Sequence, residues 1–356
     1  MDFTFSAEQE ALRDSVRGLL EAERELVRRI VDGEAEFPSE LWARLADLGW
    51  TGLLVPEEHG GAGLGLVDLV VVQEELGRLT FPGPFLSTVQ ATLALRQLGE
   101  TSLLAELAAG SSRGTLALDE VGPGDPLAAV TTRATEARLE GLKPVVLDGD
   151  TVDWALVVAH DDDGLGTYLV ERPDAEPAPG LDVTRRLTRL ELRDRPARRM
   201  GPAGDQTQLL RRVVDDVVVA LCAETVGVCE AALATAVDYA KTRVQFGRPI
   251  GSFQAIRHKI VDMLHALELA RVGTHYAAWT SDADDDERAV AASMAKGFVG
   301  EAANMITAEN IQVHGGVGFT WDVDCHLYFR RAKQNDVLFG RGAWHRQRVA
   351  DLVLSA

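Results

Sequence analysis

The chain has 356 residues, with 36 Lys and Arg against 55 Asp and Glu, a net charge of −19 at pH 7 with histidine neutral. A surface this negative repels phosphate backbones and anionic headgroups, which argues against nucleic acid and membrane surfaces as partners. Apolar residues make up 46% and charged residues 26%, the balance of a globular protein with enough apolar side chains to bury a core.

No apolar run is expected to reach the roughly 18–20 residues of a membrane span. The start, Met1-Asp2-Phe3-Thr4-Phe5, has neither the basic nor the apolar region of a secretory leader. Cys222, Cys229 and Cys325 are an odd number in a long chain, which points to a reducing cytoplasm and no disulfide framework. Length alone suggests two or three domains.

Ser6 with Gln9 three residues on is a capping-box pattern, and Leu12, Val16, Leu19 and Leu20 follow at helical spacing. A second helix over 39–48 ends at Gly49, a C′ glycine. A loop containing His59-Gly60-Gly61-Ala62-Gly63-Leu64-Gly65 follows Val55-Pro56 rather than a strand, so it reads as a packed loop and not as a dinucleotide fingerprint. Helical periodicity resumes over 66–76 and stops at Gly77, then returns over 84–98 and 102–109.

The pattern changes near Gly114. Residues 115–118, 143–147, 154–158 and 166–170 are short and rich in β-branched side chains. Asp148-Gly149-Asp150 and Asp161-Asp162-Asp163-Gly164 read as the turns between them. Strands without intervening helices predict an antiparallel barrel or sandwich. Long helices return over 213–242, 252–280 and 286–313, with a short one over 342–354, as in a helical bundle. The division is 1–112 helical, 113–205 β, and 206–356 helical.

Several constellations could carry chemistry. Arg243 through Gln254 joins two long helices. Arg243 offers a forked donor, and the next helix begins near Ser252, so the segment reads as a helix–helix turn or an anion site. Gln312-Val313-His314-Gly315-Gly316 reads as a glycine C-cap or as a place where a ligand or another backbone comes close. Asp215 and Asp216, inside an apolar run, read as a helix N-terminal turn in preference to buried bases. The histidines show no metal spacing, and Cys222 and Cys229 lie seven apart on one helical face.

Together these segments resemble the acyl-CoA dehydrogenase family along the whole chain. The segment from Tyr239 to Lys259, containing Arg243-Val244-Gln245-Phe246-Gly247-Arg248-Pro249, carries the resemblance most strongly. Gln312 to Phe319 is a second hallmark, and Phe5 to Gln9 with Gly49 to Gly65 resembles the family's N-terminal domain. The resemblance implies an α+β multidomain fold: a helical domain, an antiparallel β domain and a C-terminal four-helix bundle. It implies FAD bound across a subunit interface. Arg243 would reach the diphosphate, and Gln245, Phe246, Gln254, Gln312, Gly315 and Gly316 would contribute to the same ADP half. Arg248, Arg257, His258 and Lys259 add local positive charge there.

The departures from the family are specific. The loop that borders the flavin ring in relatives is here Leu118-Asp119-Glu120-Val121-Gly122-Pro123-Gly124-Asp125. Val145 and Leu147 stand where relatives carry a Trp-x-Thr pair. Phe339 takes the position of the usual catalytic glutamate, and Val217 that of its alternative. Neither side chain accepts a proton, and α-proton abstraction beside a thioester needs a carboxylate. The expectation is therefore an FAD-dependent acyl-CoA dehydrogenase subunit that lends the ADP half of its site to a catalytic paralogue in an α2β2 assembly, as in steroid side-chain oxidation. That partner would hold most of the acyl-CoA, and an electron-transfer flavoprotein would take the electrons. The alternatives are a self-sufficient homotetramer using Asp215 or Asp216 as base, and a scaffold without FAD.

Overall fold

The computed structural model describes residues 5–120, 122 and 124–354. The leader reading of Met1 to Thr4 falls outside them, as do Val121 and Pro123 of the loop after the first strand.

The N-terminal helices are α1 (Ala7–Ala22), α2 (Arg24–Val31), α3 (Ser39–Asp47), α4 (Leu66–Arg78), α5 (Phe85–Leu98) and α6 (Leu104–Ala108). The capping box forms: Gln9 N donates to Ser6 Oγ at 3.2 Å, and Ser6 N donates to Gln9 Oε1 at 3.0 Å. Gly49 adopts φ +79°, as its position after α3 requires.

The strands are β1 (Gly114–Ala117), β2 (Arg133–Thr135), β3 (Arg138–Leu147), β4 (Trp154–Asp161), β5 (Gly164–Glu171), β6 (Ala175–Pro177), β7 (Leu187–Pro196) and β8 (Arg198–Met200). They form one sheet in the order β6-β7-β3-β2-β4-β5-β8, with β1 also on β4. Pairing is antiparallel except where β1 and β2 meet β4 in parallel. β7 is not evident in the sequence because its exposed face is arginine-rich. Its alternation is nevertheless regular: Thr188, Leu190 and Leu192 point into the core, and Arg189, Glu191 and Arg193 point out.

The C-terminal part comprises α7 (Thr207–Thr242), a hairpin of β9 (Val244–Gln245) and β10 (Arg248–Pro249), α8 (Gln254–Asp282), α9 (Arg288–His314), α10 (Cys325–Val337) and α11 (Gly342–Leu354). α10 is likewise hidden in the sequence, because its buried face is polar: Arg331, Gln334 and Asn335 are all buried.

α7 corrects one expectation. It is long and apolar enough to cross a membrane by length and composition, yet 89% of its apolar stretch is buried inside the fold. The reason is position: α7 is the central helix, packed on α4, α5, α8, α9 and α10. Its approach to α4 rests on two glycines. A Cβ on Gly77 would lie 1.9 Å from the Glu224 carbonyl oxygen, and one on Gly227 would lie 1.8 Å from that of Glu74. Gly77 therefore lies within α4 at a helix crossing and does not terminate it.

Candidate functional site

α7 and α9 run in one direction and α8 in the other, which brings the end of α7, the start of α8 and the end of α9 to one end of the bundle. Three contacts fix them there. The rings of Tyr239 and His314 stack with centroids 4.3 Å apart. Thr235 Oγ1 donates to Asn310 Oδ1 at 3.3 Å. Lys259 Nζ lies 2.6 Å from Glu309 Oε2. The Arg243–Gln254 segment and the Gln312–Gly316 segment thus share one surface.

On that surface the β9–β10 hairpin turns through Phe246 (φ +52°) and Gly247 (φ +77°). Left-handed backbone at both central positions is the twist-matched hairpin turn, and it is costly for a phenylalanine. Phe246 is 92% exposed. Its ring meets Phe253 edge-on, and the Arg248 guanidinium lies 4.2 Å over the Phe253 ring. Ile250 N donates to Arg243 O at 2.8 Å, closing the base of the loop. Gln254 is the first residue of α8 and is exposed, as are Arg243, Gln245 and Gln312. The Arg243 guanidinium has no ion pair or hydrogen bond among the described residues.

Gly315 caps α9 at φ +63°, and its N donates to Gln312 O and Ile311 O. A Cβ on Gly315 or Gly316 would meet nothing within 4 Å, so within this chain no backbone comes close there. The donor set fits a diphosphate: a free forked guanidinium, side-chain amides and a helix N-terminus. The surface is open, so a dinucleotide laid on it needs a second surface to cover it.

The positions at which the resemblance leads one to expect catalytic residues, Phe339 and Val217, lie away from that surface and are buried. Phe339, Val217, Leu118 and Leu147 are buried in one core, with Val145 half-buried against it. Phe339 adopts φ +57°; its N donates to Asp119 Oδ2 at 3.2 Å, and His345 Nε2 meets its carbonyl at 3.0 Å. Burial pushes the Asp119 carboxyl up and the His345 imidazole down to about 3. Asp125 takes both Nη groups of Arg211 at 2.7 Å, tying the loop to the first turns of α7. Glu120 pairs with the fully buried Lys143 at 2.5 Å. Burial opposes charge on Glu120, but Lys143 and the Thr131 and Thr132 donors outweigh it and hold its pKa at about 2.

Asp215 and Asp216 correct the reading of a helix N-terminal turn. α7 begins at Thr207, so both lie well inside it and both are buried. Their role is charge balance. Asp215 binds Arg348 through both oxygens, one at 3.0 Å. Asp216 takes Arg288 at 2.6 Å, Ser281 Oγ at 2.6 Å and Gln97 Nε2 at 2.8 Å. A carboxylate so occupied is not free to take a substrate proton.

Helical layer, β sheet and long-helix bundle, with an exposed, donor-rich bundle end, define the framework of a dehydrogenase of this fold. Residues 6–109 match the acyl-CoA dehydrogenase N-terminal domain, and residues 218–354 match the acyl-CoA dehydrogenase C-terminal domain. The chain belongs to the acyl-CoA dehydrogenase family, FAD-dependent oxidoreductases acting on CH–CH bonds. It is 34% identical to "Acyl-CoA dehydrogenase IpdE2" of Mycolicibacterium smegmatis, over 94% of this chain and 95% of that one. Among solved structures, the Tcur3481-Tcur3483 steroid ACAD superposes with a TM-score of 0.88 at 32% identity, covering 98% of each chain. The ChsE4-ChsE5 complex from Mycobacterium tuberculosis superposes with a TM-score of 0.89 at 29% identity, covering 100% of each chain.

Proposed function

We propose that this chain is the non-catalytic half of a two-chain, α2β2 acyl-CoA dehydrogenase. Its exposed bundle end would lend Arg243, Gln245, Phe246, Gln254, Gln312, Gly315 and Gly316 to the ADP half of an FAD whose ring lies in a catalytic paralogue. The observation that carries the reading is that Phe339 and Val217 are buried where a base is needed, and that Asp215 and Asp216 are held by Arg348 and Arg288. When bound, FAD supplies the acceptor for the β-hydride. This chain's residues would position its diphosphate, and the partner would supply the carboxylate that removes the α-proton.

The names of two similar structures, a steroid ACAD with two designations and a ChsE4-ChsE5 complex, support a paralogous partner and a steroid side-chain CoA ester as substrate. On this reading an electron-transfer flavoprotein takes the electrons, the enzyme works in the cytoplasm, and the domains divide at about residues 112 and 205.

The test is to purify the chain alone and with a co-encoded paralogue carrying a glutamate at either base position. The expected result is FAD and acyl-CoA dehydrogenation only in the complex. Stoichiometric FAD with turnover in the lone chain overturns the reading in favour of the self-sufficient enzyme. A colourless but active-site-complete assembly overturns it in favour of the scaffold.

A further inference from the structure

Between the N-terminal helices and the β6–β7 edge of the sheet lies a cleft of about 490 Å3. This is within the usual size of small-ligand pockets. Its walls are mainly apolar, with Ile30, Phe37 and Pro84 on one side and Val183 and Leu187 on the other. Phe37 is seated by an edge-on contact with Phe81, ring centroids 5.5 Å apart. The cleft shares Pro82, Asp148, Thr184 and Arg185 with a smaller inner cavity, where the amide of the fully buried Gln73 has no partner at either atom. No residue of the bundle-end surface, and neither Phe339 nor Val217, lines it.

Three arginines line this space, Arg113, Arg185 and Arg186. Two are answered. Arg186 binds Asp150 at 2.6 Å, and Arg185 pairs with Glu224, although its Nη1 is buried without a partner. Of the lining carboxyls, Asp148 accepts from Ser87 Oγ at 2.7 Å, and Glu36 is exposed. Arg113 is different. Its backbone is engaged, with N donating to Asp153 Oδ2 at 2.7 Å, but its guanidinium has neither ion pair nor hydrogen bond among the described residues. A half-buried arginine without an ion-pair partner, on the lining of a mainly apolar cleft, is complementary to an apolar body bearing a single negative charge.

We propose that this cleft binds a small amphipathic monocarboxylate, its body against Phe37, Pro84 and Leu187 and its carboxylate on Arg113. The site is separate from the proposed flavin surface, so it stands or falls without the partner-subunit reading.

Calorimetric titration of the full chain with cinnamate, and with cinnamyl alcohol as its uncharged counterpart, tests this. Cinnamate should bind saturably at one site, and both the alcohol and the Arg113→Gln variant should weaken binding about tenfold or more, the worth of one charge-assisted hydrogen bond. Val183 is 43% exposed on the cleft wall, so Val183→Trp should fill the space and abolish binding without changing the melting temperature. Absence of saturable binding, equal affinity for acid and alcohol, or cinnamate binding undiminished in both variants overturns the proposal.

Discussion

Arg331 Nη1 lies 2.9 Å from Glu224 Oε1, and neither side chain reaches solvent appreciably. The same guanidinium, rising from α10, also binds Asp182 and Thr184 ahead of β7, and it donates to the carbonyls of Thr80 and Phe81 between α4 and α5 at 3.2 and 3.3 Å. Asn335, one turn on, donates to Glu224 Oε2 at 2.9 Å. One side chain thereby ties the N-terminal helices, the sheet and the bundle together. Removing one member of a buried ion network leaves the others uncompensated, which costs about 3–5 kcal/mol. Arg331→Met is expected to lower stability by that order in urea unfolding.

The α4–α7 crossing makes a paired prediction. Gly227→Ala drives a methyl into the Glu74 carbonyl, and prising two packed helices apart costs about 1–3 kcal/mol or more. Gly18 is exposed in the middle of α1, and a methyl added there would meet nothing within 4 Å. Gly18→Ala is expected to raise stability by about 1 kcal/mol through helix propensity alone. Thermal melting of the two variants should move in opposite directions.

Arg243 separates binding from folding. Its side chain is exposed and unengaged among the described residues, so Arg243→Ala should leave the melting temperature of the lone chain unchanged. In the proposed complex the loss of the proposed charge-assisted diphosphate contact should weaken FAD binding by about ten- to a hundredfold. Flavin absorbance after gel filtration measures it.

Asp148 sets a pH dependence. Burial, opposed by the Ser87 hydrogen bond, pushes its pKa from 3.8 up to about 6. Between these values the folded state holds a proton that the unfolded state has lost, so stability falls as pH rises from 3.8 to 6. Asp148→Asn should flatten this window and stabilise the protein at neutral pH relative to the parent. Asparagine also tolerates the left-handed φ of +55° found there. Urea midpoints measured at about pH 4 and pH 7 report the change.

The local chemistry of the sequence was sufficient for much of the fold. The Ser6–Gln9 cap, the helix over 342–354, the apolar strands over 143–147 and 154–158, and the Gly49 and Gly315 caps are each set by contacts within a few residues, so their signals lie in adjacent letters. The motif around Arg243 was legible for the same reason. What tertiary structure decided depends on partners far away in the chain. β7 escapes notice because its outward face is charged and paired within the strand, and α10 because it buries Arg331, which only the distant Asp182 and Glu224 balance. Asp215 and Asp216 read as a helix N-terminal turn until α7 is extended back to Thr207 and Arg348 and Arg288, far along the chain, take their oxygens. Gly77 reads as a helix stop until α7 is laid against it. The resemblance singles out Phe339 as a position where a glutamate is expected, but only the packed fold places its backbone against Asp119 and His345. Hydrogen bonds within one turn are encoded locally, whereas burial and charge compensation are properties of the assembled chain.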